Sequence, residues 1–114
     1  MLEEARQTAA ELELQIAEEV WVPGSMEKPL ALKRLLVRDD IDGAVALGII
    51  EKGETAHGLV MAQSAIGAII NMQLELMKPV GVGILGPEIQ PSQIESRLRP
   101  YGRDAVRALA HMLN

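Results

Sequence analysis

A short polar turn, Gly53-Glu54-Thr55-Ala56-His57, has the clearest chemical potential in this sequence. It follows an apolar run at residues 43–50 and precedes a long apolar segment at residues 58–77. Free backbone N–H groups at the start of a helix attract anions, and the helix dipole adds to that attraction. A histidine titrates near neutral pH, so it can both donate and accept protons. The turn, named here the 53–57 loop, is therefore predicted to be an active-site loop for an anionic substrate.

Apolar strands are predicted to position this loop. Residues 43–50 and 80–85 are almost unbroken apolar runs, which are typical of parallel strands covered on both faces. Val20-Trp21-Val22 predicts a shorter strand, which the Pro23-Gly24 turn ends. Because these strands alternate with helical segments, the predicted class is α/β.

Helices are predicted in the remaining segments. Apolar residues recur every three or four positions from residue 2 to about residue 18, which indicates a helix with one buried face. Lys28-Pro29 starts a helix that runs to residue 38, since proline is tolerated in a first helical turn. A third helix is predicted over 57–77, before Lys78-Pro79. The last region predicts helices over 93–99 and 103–112, with a break at Pro100-Tyr101-Gly102.

The composition favours one domain over residues 1–114 and argues against several classes of protein. With 114 residues, of which 48% are hydrophobic, the chain can bury one core but not two. Its 11 basic and 16 acidic residues, with one Trp, one Tyr and no Phe, argue against nucleic-acid binding. The absence of cysteine excludes disulfides and favours the cytoplasm. Charges throughout residues 1–19 leave no apolar core for a targeting segment, so none is predicted.

The third predicted helix suggests contact with other copies of the chain. Over residues 58–77 only Glu75 is charged, and apolar residues point in nearly every direction around the axis. A helix that is apolar all round is buried all round, and a chain of this size has little material to cover both sides. A homo-oligomer is therefore predicted, and a central helix in a compact monomer is the alternative. Because polar residues such as Gln63 and Asn71 interrupt the run, no membrane association is predicted.

Several motifs together resemble the lumazine synthases, in particular the archaeal form. They are a proline-glycine turn, a strand, the loop and a second strand end: Val22-Pro23-Gly24-Ser25-Met26-Glu27-Lys28-Pro29, Ala46-Leu47-Gly48, Lys52-Gly53-Glu54-Thr55-Ala56-His57 and Gly83-Ile84-Leu85. The resemblance implies a three-layer, flavodoxin-like parallel sheet flanked by helices. It also implies a first strand and an aromatic-bearing loop, which are absent from this sequence. Pentamers or icosahedral shells of pentamers are expected, with active sites between subunits.

The resemblance further implies an enzyme of riboflavin biosynthesis. The family condenses 5-amino-6-ribitylaminouracil with 3,4-dihydroxy-2-butanone 4-phosphate to give 6,7-dimethyl-8-ribityllumazine, without a metal or an organic cofactor. It implies that His57 transfers protons and that the loop amides hold the phosphate, namely those of Gly53, Glu54 and Thr55. An arginine from a neighbouring chain completes that site, with Arg97 as the first candidate and Arg99 as the second.

The remaining site residues are candidates for the second substrate. Ser25, Met26 and Glu27 match the turn that binds the ribityl chain in this family, where a carboxylate accepts hydrogen bonds from sugar hydroxyls. Ile49 and Ile50 are further candidates for substrate binding. So is Val82, which stands where the family commonly stacks an aromatic ring on the pyrimidine.

Two other functions stay open at this point. The archaeal riboflavin synthases share a Val-Pro-Gly turn and an Ala-Leu-Gly strand, although the Gly-Glu-Thr-x-His turn and the short C-terminus favour a lumazine synthase. The other is a non-catalytic or engineered scaffold that only assembles. The absent first strand and the missing aromatic residues favour that alternative.

Overall fold

A computed structural model, which describes residues 1–113, has two strands and four α-helices in an α/β arrangement. A short 3₁₀ turn, named here the Ser25 turn (Ser25–Glu27), precedes the second helix. In chain order the elements are α1 (Leu2–Glu11), α2 (Lys28–Leu36), β1 (Ala44–Glu51), α3 (His57–Leu76), β2 (Val80–Ile89) and α4 (Pro91–Met112). The predicted class is confirmed, and so are both long strands, although β2 continues past the predicted residues 80–85 to Ile89.

The two strands pair in parallel, and α3 is the crossover between them. Ala44 lies opposite Val80, and the register continues without a gap to Ile49 opposite Leu85. It then shifts, so that Glu51 lies opposite Ile89. Parallel strands place their carboxyl ends at one edge of the sheet. The 53–57 loop therefore lies at the same edge as the start of α4.

Helices cover both faces of the sheet, which makes three layers. On one face, α2 and α3 form a core with the strands, made of Leu32, Leu36, Ile41, Ala46, Ile50, Ala62, Ile69, Met72, Val80 and Ile84. On the other face, Val45 and Leu47 pack against Ala5, Ala9 and Val106 of α1 and α4. Successive side chains of a strand point to opposite faces, so β1 serves both cores. The layered arrangement implied by the family resemblance is confirmed.

The first helix is shorter than its apolar periodicity predicts, and no strand forms at residues 20–22. α1 ends at Glu11, and Glu13 has a positive φ of 59°, which turns the chain out of the helix. Within the described residues the sheet contains only β1 and β2, so Trp21 and its neighbours have no strand to pair with. A β-strand needs backbone hydrogen bonds to a neighbouring strand. The alternating pattern of residues 20–22 is therefore not sufficient to form one.

The predicted helix break at Pro100-Tyr101-Gly102 is also wrong, because α4 runs through Pro100 from Pro91 to Met112. A proline inside a helix removes one backbone hydrogen bond. Here the packing of the helix on the sheet outweighs that loss, since Gly102, Ala105, Val106 and Leu109 are all buried. The helix lies so close to β2 that a Cβ on Gly81 would overlap the carbonyl oxygen of Ala105.

The long helix α3 is apolar on two sides, but the protomer buries only one of them. Ala62, Ala65, Ile69 and Met72 are buried against the sheet. Large apolar side chains remain exposed elsewhere along the helix and at its end, namely Val60, Ile70, Leu74 and Met77. By length and composition α3 could also cross a membrane, and 22% of its apolar 18-residue stretch is buried inside the protein. The buried face of α3 packs into the core that the sheet forms with α2.

Candidate active site

The 53–57 loop joins the carboxyl end of β1 to the first residue of α3. Every residue from Glu51 to His57 is exposed, so the loop is open to a ligand. The backbone N–H of His57 donates a hydrogen bond to Oγ1 of Thr55 at 3.3 Å. Ala56, the N-cap residue of α3, provides no side-chain hydrogen bond to the first turn of the helix. The orphan N–H groups of a first helical turn attract anions. That Gly53, Glu54 and Thr55 hold a phosphate beside His57 stays a prediction.

The loop is anchored to the opposite strand at its start. The backbone N–H of Lys52 donates to the carbonyl oxygen of Ile89 at 3.0 Å. The ammonium of Lys52 also forms an exposed ion pair with Glu88, at 3.4 Å. Because α4 begins directly after β2, its first turns lie at the same edge of the sheet as the loop.

The Ser25 turn packs against α3, and Ser25 itself lies close to Gly48 of β1. Ser25 is buried, while Met26 and Glu27 are exposed. The hydroxyl of Ser25 lies 3.9 Å from the position that a Cβ would take on Gly48 of β1. Ser25 therefore faces β1, while the exposed side chain of Glu27 lines a cleft between residues 18–23 and α2.

Lys28 contributes a cation to this turn that the sequence interpretation left without a role. Its Nζ donates a hydrogen bond to Oγ of Ser25 at 3.1 Å. Burial lowers the pKa of Lys28, and the nearby Glu27 carboxylate acts in the opposite direction. A signal for this contact was present in the sequence, because Ser25 and Lys28 are three residues apart at a helix start.

The three candidate residues on the strands have different surroundings. Ile49 is exposed, whereas the side chain of Ile50 is packed into the core between the sheet, α2 and α3. Val82 is half-buried against the same core and lies opposite Ala46, well before the carboxyl end of β2. Of these three side chains, only that of Ile49 is exposed next to the loop.

The two candidate arginines lie on the exposed surface of α4. Nη1 of Arg97 donates to the carbonyl oxygen of Gln93 one turn earlier, at 2.8 Å. Within residues 1–113, neither Arg97 nor Arg99 forms an ion pair with a carboxylate. Their guanidinium groups can therefore bind an outside anion, and their place against a neighbouring chain stays a prediction. The same residues contain no cluster of three His, Asp or Glu that could hold a metal ion.

Comparison with known proteins shows the family to which this chain belongs. The family model described as 6,7-dimethyl-8-ribityllumazine synthase matches residues 1–114. A protein of that name from Methanococcus maripaludis is 41% identical over 109 residues, covering 96% of this chain and 79% of the relative. The one from Staphylothermus marinus is 40% identical over 114 residues, covering 100% and 76%. The one from Methanopyrus kandleri is 43% identical over 113 residues, covering 99% and 79%.

Proposed function

We propose a function from the family to which this chain belongs, the 6,7-dimethyl-8-ribityllumazine synthases. The protein condenses 5-amino-6-ribitylaminouracil with 3,4-dihydroxy-2-butanone 4-phosphate and releases the lumazine, phosphate and water. It is a transferase of riboflavin biosynthesis. The observation that carries this conclusion is the family match over the whole chain, together with the open loop that the fold presents before α3.

The loop and His57 supply the chemistry that this condensation needs. The amine of the uracil attacks the ketone of the butanone phosphate, and water leaves as the imine forms. Phosphate is then eliminated, and ring closure expels a second water. Each step moves a proton near neutral pH, which an exposed imidazole at the start of α3 can do. The N–H groups of Gly53, Glu54 and Thr55 stabilise the phosphate before and after it leaves.

The Ser25 turn is the proposed binding site for the ribityl chain. The exposed carboxylate of Glu27 accepts hydrogen bonds from sugar hydroxyls, and Met26 supplies apolar contact area beside it. Ile49, next to Gly48 on β1, is the proposed contact for the pyrimidine, with Ile50 and Val82 supporting that strand region. The two substrates then meet between the Ser25 turn and the 53–57 loop.

The exposed apolar residues of α3 support a homo-oligomer. Val60, Ile70, Leu74 and Met77 form an apolar surface on the protomer, which contact with another copy would bury. We propose a pentamer or an icosahedral shell of pentamers, in which Arg97 or Arg99 of one copy binds the phosphate at the 53–57 loop of its neighbour. The cytoplasm is the proposed location, since the protein has no cysteine and acts on soluble metabolites.

The direct test supplies the purified protein with both substrates and follows formation of the fluorescent lumazine. The His57→Ala variant should be slower by about tenfold to a hundredfold, because a positioned proton-transfer group contributes roughly 10²-fold or more and orientation of the substrates partly survives. His111→Ala is the matched control, since this exposed histidine lies in the last turn of α4. Wild-type protein that forms no product above the spontaneous rate would contradict the proposed reaction.

The phosphate assignment has its own test in the same assay. Arg97→Ala should raise the KM for the butanone phosphate and leave the KM for the uracil substrate nearly unchanged, because a guanidinium contacts only the anion. Arg99→Ala is the matched comparison on the same helix. A selective increase in Arg99→Ala alone would transfer the role to Arg99, and no increase in either variant would contradict both assignments.

A scaffold without catalysis is the second candidate function. It is favoured by the sheet of two strands in the described residues and by Val82, which offers no aromatic face for the pyrimidine. Assembled particles that yield no lumazine would support it. The archaeal riboflavin synthase alternative is disfavoured, since the family match and the named relatives are lumazine synthases.

A further inference from the structure

The ammonium of Lys28 lies inside the proposed substrate site, not on the outer face of α2. Its Nζ is 3.1 Å from Oγ of Ser25 and faces Gly48 of β1. Among residues 1–113 the hydroxyl of Ser25 is its only hydrogen-bond partner. An ammonium has three donors, so this group retains capacity for further acceptors. The residue as a whole is half-buried, so it retains some exposure to solvent.

Gly48 provides the space that Lys28 occupies. A Cβ at position 48 would lie 2.7 Å from Nζ and 3.1 Å from Cε of Lys28. No backbone atom is among its nearest contacts, so a methyl group there would displace the end of a flexible side chain and leave the strand in place. The ammonium is thus held beside β1 only because residue 48 has no side chain.

This position is unfavourable for a lysine that has only a structural role. Lys28 is the first residue of α2, where the helix dipole favours negative charge over positive charge. Partial burial also disfavours its charged form, which is why its pKa is lowered. The helix dipole and the partial burial both disfavour the charged ammonium of Lys28. Because this ammonium also has unused donors and lies next to exposed Glu27, we interpret it as a ligand-binding group.

We propose that Lys28 is a substrate-binding residue of the ribityl subsite, where its ammonium donates hydrogen bonds to hydroxyl oxygens of the ribityl chain. Ser25 holds the ammonium in place, and Glu27 accepts hydrogen bonds from the same chain of hydroxyls. A polyol offers both donors and acceptors, so an adjacent cation and anion bind it in one orientation. This inference rests on the proposed function, because it assigns a further residue to the same site.

The test compares four variants with the wild-type protein: Lys28→Met, Gly48→Ala, the double variant and Lys33→Met. Methionine keeps the length of the side chain and removes its charge. Lys33→Met removes the same charge from the exposed side of the same helix, where Lys33 pairs, among residues 1–113, only with Glu75. The measurements are kcat, the KM of each substrate, and the Kd of 6,7-dimethyl-8-ribityllumazine from its fluorescence.

Lys28→Met should raise the KM of the uracil substrate and the Kd of the lumazine by roughly tenfold to a hundredfold, as expected for a lost charged hydrogen bond. The KM of the butanone phosphate and the kcat should change by less than about twofold, since no contact made only in the transition state is lost. Gly48→Ala should produce the same selective loss, because it displaces the ammonium. The double variant should be no worse than the stronger single variant, because both changes remove one interaction. Lys33→Met should behave as wild type.

Two results would overturn the proposal. One is an unchanged Kd and KM for the ribityl compounds in Lys28→Met. The other is a multiplicative loss in the double variant, which would mean that Gly48 and Lys28 act separately. If the wild-type protein makes no lumazine, the proposed reaction fails, but the Kd series still decides the role of Lys28.

Discussion

The side-chain oxygen of Gln73, near the end of α3, accepts a hydrogen bond at 2.9 Å from the backbone N–H of Val80, the first residue of β2. Val80 is buried, so this N–H would otherwise lack a partner. Gln73→Leu should lower the free energy of unfolding by about 1–3 kcal/mol, the cost of an unsatisfied buried donor. Denaturant titration measures this, with Gln63→Leu on the exposed face of α3 as the control. Equal stability of the two variants would contradict the role of Gln73.

Gly86 is a second point where local backbone geometry decides stability. Its φ is +93°, and a Cβ there would overlap the carbonyl oxygen of Ile50 on the paired strand. Gly86→Ala should therefore lower the free energy of unfolding by about 1–3 kcal/mol or more. Gly67→Ala is the control with the opposite sign, since Gly67 lies inside α3 and no atom of residues 1–113 outside its own helical surroundings lies within 4 Å of its Cβ position. Gly67→Ala should raise the free energy of unfolding by roughly 0.5–1 kcal/mol. Two losses of similar size would contradict this account.

Acid should weaken the contact between Arg38 and Asp40, which lie just after the end of α2. The hydrogen bond from Arg38 lowers the pKa of Asp40 from its ordinary value of 3.8, and Arg38 also pairs with Glu18. A carboxyl group with a lowered pKa contributes stability above its ordinary value and loses that contribution as the pH falls through the folded-state pKa. The melting temperature of the wild-type protein should therefore be higher than that of Arg38→Met at neutral pH. The difference between the two melting temperatures should vanish in acid.

Melting temperatures across that pH range check the acid prediction. The control is Arg34→Met, because Arg34 forms no ion pair among residues 1–113. Its difference from wild type should not depend on pH. A pH-independent difference for Arg38→Met as well would mean that Asp40 contributes nothing to folding through this contact.

The apolar surface of α3 should control assembly. Ile70 and Leu74 are 50% and 70% exposed in the protomer, four residues apart on one side of the helix. Ile70→Asp or Leu74→Asp should dissociate the proposed oligomer, because a buried unpaired charge at an interface costs several kcal/mol. Met112→Asp places the same charge on the exposed end of α4 and should leave assembly intact. Light scattering decides this, and unchanged particles in both α3 variants would contradict the proposed interface.

Local pattern alone was sufficient for the elements that position the loop. The apolar runs of β1 and β2 and the continuous apolar character of α3 predicted their type and place, because burial on both faces requires such runs. The position of the 53–57 loop followed from them, since it is the connection from β1 to α3.

Other features depended on partners that are distant in the sequence. Residues 20–22 alternate like a strand, but among the described residues no neighbouring backbone pairs with them. Pro100 predicts a break, but burial of Ala105 and Val106 against the sheet holds α4 together through it. The site of Lys28 depends on Gly48, a residue of another element that leaves room for its ammonium. The sequence by itself determined the family, the α/β class and the candidate residues, because these follow from motifs and periodicity. Only the tertiary structure decided which strand is paired, which proline is tolerated and where Lys28 lies, because each of these is a contact between separate elements.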